Sequence, residues 1–395
     1  MVKKVEAKCG ACGSSQVNHR LMFFLKCMDE LISRLTFIYS PIFSLSKNIT
    51  VVDFIEKVLL NTLHLIGAIR YDEDIEKTLN GRSKLVWQEA KKRGIDMKQI
   101  FLFGKPIDHF KAHINGKNIF FQSLPIPPWL SHNGYDWVDD KFIFAKKFKL
   151  AGIPTPGTKK VLFLKDALSA FDILKKPIII KPQSGSLGRH TTTNINTKEE
   201  MEKAFHLARQ ITLSMVAQEH LFGSVYRATV VNNVLVGFFR AEPPFVVGDG
   251  VQSMKDLILE KNKNRNERVS DILINEELIS FLERQGYTID SILEKNKKIN
   301  LLAKTGRFYG GYTKEMLPEV HPKMHSIFSN ASKLVSIPVA GFDLIIEDPT
   351  KDPDTQHWGI IECNSLPFID LHAFPLEGEP VNIAKYIWDL WDKKI

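Results

Sequence analysis

The chain has 395 residues, 44% hydrophobic and 25% charged, an ordinary globular composition with enough apolar mass for two or three packed units. Its formal charge of +8 is spread over lysines along the whole length and accompanies no recognition-helix, zinc-finger or RNA-platform pattern, so no nucleic-acid partner is expected. Four cysteines, Cys9, Cys12, Cys27 and Cys363, are too few and too scattered for a disulfide framework and fit a reducing cytoplasm.

Taken in chain order, the pair Cys9-Gly10-Ala11-Cys12 has the spacing of a zinc knuckle or redox pair. No second Cys/His pair follows at ribbon spacing, so it reads as non-catalytic. The apolar stretch from Leu21 to Leu45 is interrupted by Lys26, Asp29, Glu30 and Arg34, which argues for an amphipathic helix packed on the protein and against a transmembrane segment. From about Ile55 to Pro125 a helix over 84–92 alternates with strands over 99–103 and 118–121, the latter after an Asn115-Gly116 turn. Pro125-Ile126-Pro127-Pro128-Trp129, followed by Asn133-Gly134, is dense in helix breakers and reads as a linker closing an N-terminal helical and α/β domain over 1–135.

Asp139-Asp140-Lys141 opens a helix that runs to Leu150 and stops at Gly152. Helices over 166–175 and 199–210 and a buried strand over 177–181 make a small α+β lobe over 136–213. Strands over 215–220, 227–231 and 234–240 follow, the last two joined by an Asn232-Asn233 hairpin, and open a large lobe over 214–395. Within it, 256–298 reads as a charged, mainly helical insertion. Strands over 342–346 and 358–363 and an amphipathic helix over 382–391 complete the chain.

Three groups of residues point to chemistry. Lys181 ends an apolar strand and Ser184-Gly185-Ser186-Leu187-Gly188 follows, so backbone N–H groups and a lysine charge are set for a polyphosphate; neither the P-loop nor the dinucleotide fingerprint is present. Asp343 lies in one apolar strand, while period-two spacing puts Glu362 and Asn364 on the same face of another with Cys363 opposite. Such a set of hard oxygens suits Mg²⁺. The strand end Gln218-Glu219-His220-Leu221 offers a backbone edge to an adenine ring.

In this order the features resemble the ATP-grasp superfamily over about two thirds of the chain, from Asp139 onward. The resemblance is nearest to the ATP-grasp part of cyanophycin synthetases and bifunctional glutathione synthetases, through Val247-Gly248-Asp249-Gly250, Gly310-Gly311-Tyr312-Thr313, Gly341-Phe342-Asp343, and Ile361 to Pro367 leading through His372 and Pro375 to Glu377-Gly378. It implies an ATP-grasp fold of α+β lobes carrying an N-terminal α/β domain, with ATP and Mg²⁺ as cofactors and Mn²⁺ as the alternative ion. Lys141 and Lys181 would hold phosphates beneath the 184–188 loop, Gln218 to Leu221 would be the adenine hinge, and Asp343, Glu362 and Asn364 the metal ligands. Arg227, Arg240 and Arg307 would lie near substrate or the transferred phosphate. Val225 stands where the family commonly has an acid that binds ribose.

The implied activity is a cytoplasmic carboxylate–amine ligase acting through an acyl phosphate on a small-molecule carboxylate and amine, an amino acid or short peptide by analogy. Homo-oligomerisation is compatible with the sequence. Cyanophycin synthetases carry a second ligase module after this part and nothing follows Ile395 here, so a single ligation is expected. The alternatives are a non-catalytic ATP-binding regulatory module, a grasp-type kinase and, last, a basic nucleic-acid binder.

Overall fold

The structure, a computed structural model, describes residues 9, 17–28, 62–130, 136–184, 189–283 and 285–392. Cys12, the 185–188 loop, Asn133-Gly134 and the 29–45 part of the apolar N-terminal stretch lie outside them. Residues 19–28 form the helix expected at the start of that stretch, here α1.

The N-terminal unit holds β1 (Ile69–Asp72), α2 (Gly81–Lys92), β2 (Asp96–Leu102), β3 (Lys105–Ile114) and β4 (Lys117–Gln122). The strands lie in the order β1-β2-β3-β4 and every ladder is antiparallel. Alternating helix and strand led to an α/β expectation, but β2–β3 and β3–β4 are joined by two-residue turns, too short for a parallel crossover. Asn115 and Gly116 both take positive φ, 50° and 76°, as the primed hairpin turn requires.

Next come α3 (Lys141–Leu150), β5 (Thr158–Val161), α4 (Leu164–Ile173), β6 (Ile178–Pro182), β7 (Thr192–Ile195), α5 (Lys198–Arg209) and β8 (Met215–Glu219). The four strands make one sheet ordered β5-β8-β6-β7. Its inner face, Ile178, Ile180, Ile195, Met215 and Ala217, packs on Ala167, Ala170 and Phe171 of α4 and Met201, Ala204, Phe205 and Ala208 of α5. Thr197 and Glu200 close a capping box at the start of α5.

The remaining elements are β9 (Ser224–Val231), β10 (Val234–Ala241), β11 (Phe245–Val247), α6 (Met254–Lys263), α7 (Glu276–Glu283), β12 (Lys298–Asn300), β13 (Thr313–Glu315), α8 (Pro322–Val335), β14 (Val339–Ile346), β15 (Gly359–Asn364), α9 (Asp370–Ala373) and α10 (Ile383–Trp388). A five-stranded antiparallel sheet, β13-β10-β9-β14-β15, is the centre of the molecule. Asn232 and Asn233, at φ 47° and 66°, turn its central hairpin. The 256–298 stretch is only partly helical: α6 and α7 pack around Met254, Ile258, Leu278, Leu282 and Leu293, and the β11–β12 ribbon ties the base.

Strand alternation in the central sheet decides what faces the site. Tyr226, Ala228 and Val230 of β9 and Phe342, Leu344 and Ile346 of β14 enter one core with Phe144 and Phe148 of α3 and Met324 and Phe328 of α8. Arg227 and Asp343 therefore emerge on the other face, in register opposite each other. Farther along, that face packs Val231, Val236 and Val339 against Trp87, Phe110 and Phe121 of the N-terminal unit and Ile383, Ile387 and Trp388 of α10. No helix among the described residues is long and apolar enough to cross a membrane.

Candidate functional site

The site is built where the small lobe's sheet meets the central sheet. Asp140 caps α3, accepting from the N–H groups of Phe142 and Ile143, and its other carboxylate oxygen accepts from Gln183 Nε2 at 2.6 Å. The Lys141 N–H donates to the Gln183 carbonyl at 3.2 Å. One aspartate thus ties the start of α3 to the end of β6 and sets Lys141 beside Lys181. The two lysines, distant in sequence, line one cavity of about 430 Å³ together with Ser184, Asp343 and Glu362.

Both lysines are held below the ordinary lysine range. Burial pushes Lys181 down to about 8, and the neighbouring Lys141 charge adds to the effect. Burial also lowers Lys141, with Glu362 pulling the other way. Two desolvated cations sharing a cavity are stabilised by an anion between them, which is how the residues present fit a polyphosphate.

A bulge shapes the acidic wall. Asp343 pairs with Glu362 and Leu344 with Ile360, so Ile361 is an extra residue in β15 that restarts the alternation. Ile360 and Cys363 both enter the core, while Ile361 and Glu362 both face the cavity. Asn364 follows Glu362 on the site side, its Nδ2 at 3.5 Å from both Asp343 Oδ2 and Glu362 Oε1. The expected facing of Glu362 and Asn364 against Cys363 is what the strand shows. Burial drives the Asp343 carboxyl up to about 7 against the pull of Arg227, with Glu362 adding like charge. Burial acts on Glu362 too, but the hydrogen bond from Asp343 and the lysine charges hold it below its usual value. Two neighbouring carboxylates are donors for a hard divalent cation, and the Asn364 amide, which here presents Nδ2 to them, would supply an oxygen on turning over.

Arg227, expected near substrate, instead grips Asp343 through both Nε and Nη2, the latter at 2.8 Å. Gly341 permits this, because a Cβ there would lie 3.2 Å from Arg227 Cδ. The third guanidinium nitrogen, Nη1, is buried and has no hydrogen-bond partner among the described residues. Arg227 also lines a second cavity of about 170 Å³, together with Arg307, Phe308 and Phe374, which shares Val225 and Asp343 with the first.

The other expected residues have partners of their own. Arg240 pairs with Glu242, and Arg307 Nη1 donates to the Phe374 carbonyl at 3.4 Å. None of Gln218, Glu219, His220 and Leu221 lines the larger cavity. Gln218 Nε2 donates to Thr158 Oγ1 at 2.9 Å, and the N–H groups of Glu219 and His220 are taken by the Gly157 and Pro177 carbonyls. Gly185, Ser186, Leu187 and Gly188 fall outside the described residues. Sequence reasoning missed Met22, Lys26, Arg189 and Ile211, all of which line the larger cavity. Lys26 Nζ donates to the Ser184 carbonyl at 2.7 Å. A lone lysine within an apolar helical run and an arginine directly after a glycine-rich loop were the available signals.

Known proteins resemble this arrangement. Cyanophycin synthetase from Synechocystis sp. is 30% identical over 249 residues, 61% of this chain and 28% of that protein. The cyanophycin synthetase of Trichormus variabilis is 28% identical over 329 residues, 80% of this chain and 35% of that protein. A glutathione biosynthesis bifunctional protein from Mannheimia succiniciproducens is 27% identical over 284 residues, 69% of this chain and 36% of that protein. The chain thus spans about a third of the length of these curated relatives. No family model matches. Among solved structures, the bifunctional glutathione synthetase from Pasteurella multocida superposes with a TM-score of 0.55 at 23% identity, over 78% of this chain and 43% of that one. By sequence the chain is thus similar to cyanophycin synthetases and bifunctional glutathione biosynthesis proteins, and it shares its fold of α+β lobes with the Pasteurella multocida glutathione synthetase.

Proposed function

We propose that the chain is an ATP- and Mg²⁺-dependent carboxylate–amine ligase that forms an amide or peptide bond. The carrying observation is the convergence of Lys141, Lys181, Asp343 and Glu362 on one cavity that shares Asp343 with a second, arginine-lined one. The names of the relatives, synthetases of cyanophycin and glutathione, support the reaction class. When bound, Mg·ATP would supply the phosphoryl group that converts a carboxylate to an acyl phosphate with release of ADP, and an amine attacking the acyl carbon would form the amide and release phosphate and a proton.

In this reading Lys141 and Lys181 bind the phosphates and neutralise charge that spreads over the transferring group. Asp343, Glu362 and the Asn364 amide oxygen hold the cation. The side chains of Ile211, Val225 and Ile361 give the cavity an apolar wall for the base, and Val225 leaves the ribose without the acidic partner common in the family. Arg227, whose Nη1 is a buried donor without a partner among the described residues, orients the acceptor carboxylate in the smaller cavity. Lys26 and α1 keep water from the phosphates. An amino acid or short peptide suits the volume of the smaller cavity and one arginine clamp.

The Arg227–Asp343 pair also favours a second reading, a nucleotide-binding module without turnover, because the arginine already neutralises a carboxylate needed by the cation. The test is release of ADP and phosphate from Mg·ATP with pooled amino acids and dipeptides, with mass spectrometry of the products. ADP with a new amide mass supports the ligase. ATP binding with no turnover in any pool supports the silent module, and phosphorylated product without an amine supports a kinase.

A further inference from the structure

Away from the acidic wall, the fold brings together three residues that no feature of the nucleotide site uses. Cys9, His19 of α1 and His190 each place a ligand atom within 4.8 Å of the other two. Cys9 Sγ lies 3.8 Å from His190 Nε2. With Zn–S near 2.3 Å and Zn–N near 2.0 Å, tetrahedral geometry sets S and N about 3.6 Å apart, so the observed separation is within a few tenths of an ångström of a bound zinc. His190 is fully buried and its Nδ1 lies 2.7 Å from the Leu207 carbonyl. That carbonyl accepts the Nδ1 proton and leaves the Nε2 lone pair facing Cys9, the arrangement by which proteins fix a metal-binding imidazole. The His19 and His190 rings stand edge to face at 85° with centroids 4.7 Å apart, splayed as two ligands of one ion rather than stacked.

We propose that Cys9, His19 and His190 bind a zinc ion, and that this ion fastens the N-terminal segment to the small lobe. One thiolate and two imidazoles select zinc over the magnesium suited to the oxygen-rich wall. Three protein ligands leave one tetrahedral position for water or another group. The ion's position gives it a purpose. His190 lies two residues beyond the glycine-rich loop, and α1, which starts at His19, carries Met22 and Lys26 to the rim of the larger cavity. Zinc at this point holds α1 across that cavity, with Lys26 bonded to Ser184. Seen in sequence, the Cys9 region lacked a partner pair; His190 supplies it from 181 residues away.

The test uses the full chain and zinc alone, so its outcome is independent of any nucleotide chemistry. Chelator-stripped protein is reloaded with zinc in excess Mg²⁺, dialysed and assayed for bound metal, and the affinity is measured by competition with a chromophoric chelator. Stoichiometric zinc is expected, with affinity falling at least tenfold in Cys9→Ser and in His19→Ala, two half-buried positions whose replacement leaves the circular dichroism unchanged. Cobalt in place of zinc adds a thiolate charge-transfer band that is absent in Cys9→Ser. Hydrogen exchange across 19–28 slows when zinc is added to the native protein and does not respond in either variant. Failure of the native chain to retain stoichiometric zinc overturns the proposal. So does native affinity in both variants.

Discussion

Replacing Arg227 by Met tests whether the ion pair with Asp343 is a structural requirement of the fold. The two side chains are each 14% exposed, and Arg227 makes two hydrogen bonds to the carboxylate. Removing one partner of such a buried pair leaves an uncompensated charge, typically a loss of about 3–5 kcal/mol. Asp343→Asn leaves the complementary orphan, the Arg227 cation, so both single variants are strongly destabilised. The double variant loses less than the sum, with a coupling of about 1–3 kcal/mol. Urea unfolding followed by tryptophan fluorescence reads this directly, since Trp358 is buried in the same core as Phe342. The deficit also depends on pH with a definite sign. The folded pKa of Asp343 is raised above its usual 3.8, so the fold binds the proton more tightly than the unfolded chain does, and stability falls as pH rises from about 4 towards about 7. Loss of Arg227 removes the group that pulls this pKa down and extends the window upward, making the Arg227→Met deficit smaller at pH 5 than at pH 8. Single variants within about 0.5 kcal/mol of the native chain, with additive effects, would refute the reasoning.

Lys181→Gln weakens ATP binding at least tenfold by calorimetry without lowering stability, because it removes a desolvated cation. In the native chain ATP affinity declines as pH rises through about 8, where Lys181 loses its proton; flat affinity from pH 7 to 9.5 would count against its phosphate role. Glu362→Gln keeps the fold and lowers Mg²⁺-dependent ADP formation by about a hundredfold, roughly 3 kcal/mol of transition-state stabilisation, checked by coupled assay. Gly237→Ala puts a Cβ 2.6 Å from His372 Nδ1, the atom that meets Glu315 Oε2 at 2.6 Å, and destabilises by about 1–3 kcal/mol in the same urea titration.

Features with a local cause were readable from the chain itself. The asparagine turns, the strand ends around Lys181 and the outward facing of Glu362 follow from residue type and period-two spacing. Asp140 as an N-cap likewise fixed Lys141 at a helix start. What escaped depends on register between distant strands. Nothing near Arg227 in sequence says that it lies opposite Asp343, and nothing near Gln218 says that Thr158 takes its side-chain amide. In the N-terminal unit hydrophobic periodicity identifies strands but not their direction, which the two-residue turns make antiparallel.

The core shared between the ends of the described chain has a consequence for its synthesis. Trp87, Phe110 and Phe121 leave the ribosome well before Trp388, whose indole N–H donates to the Val86 carbonyl at 2.9 Å. At roughly 5–20 residues per second the early strands wait on the order of tens of seconds for the surface that covers them. For that interval the nascent N-terminal sheet exposes an aromatic face, whereas the small lobe draws its core from residues 161–217 alone.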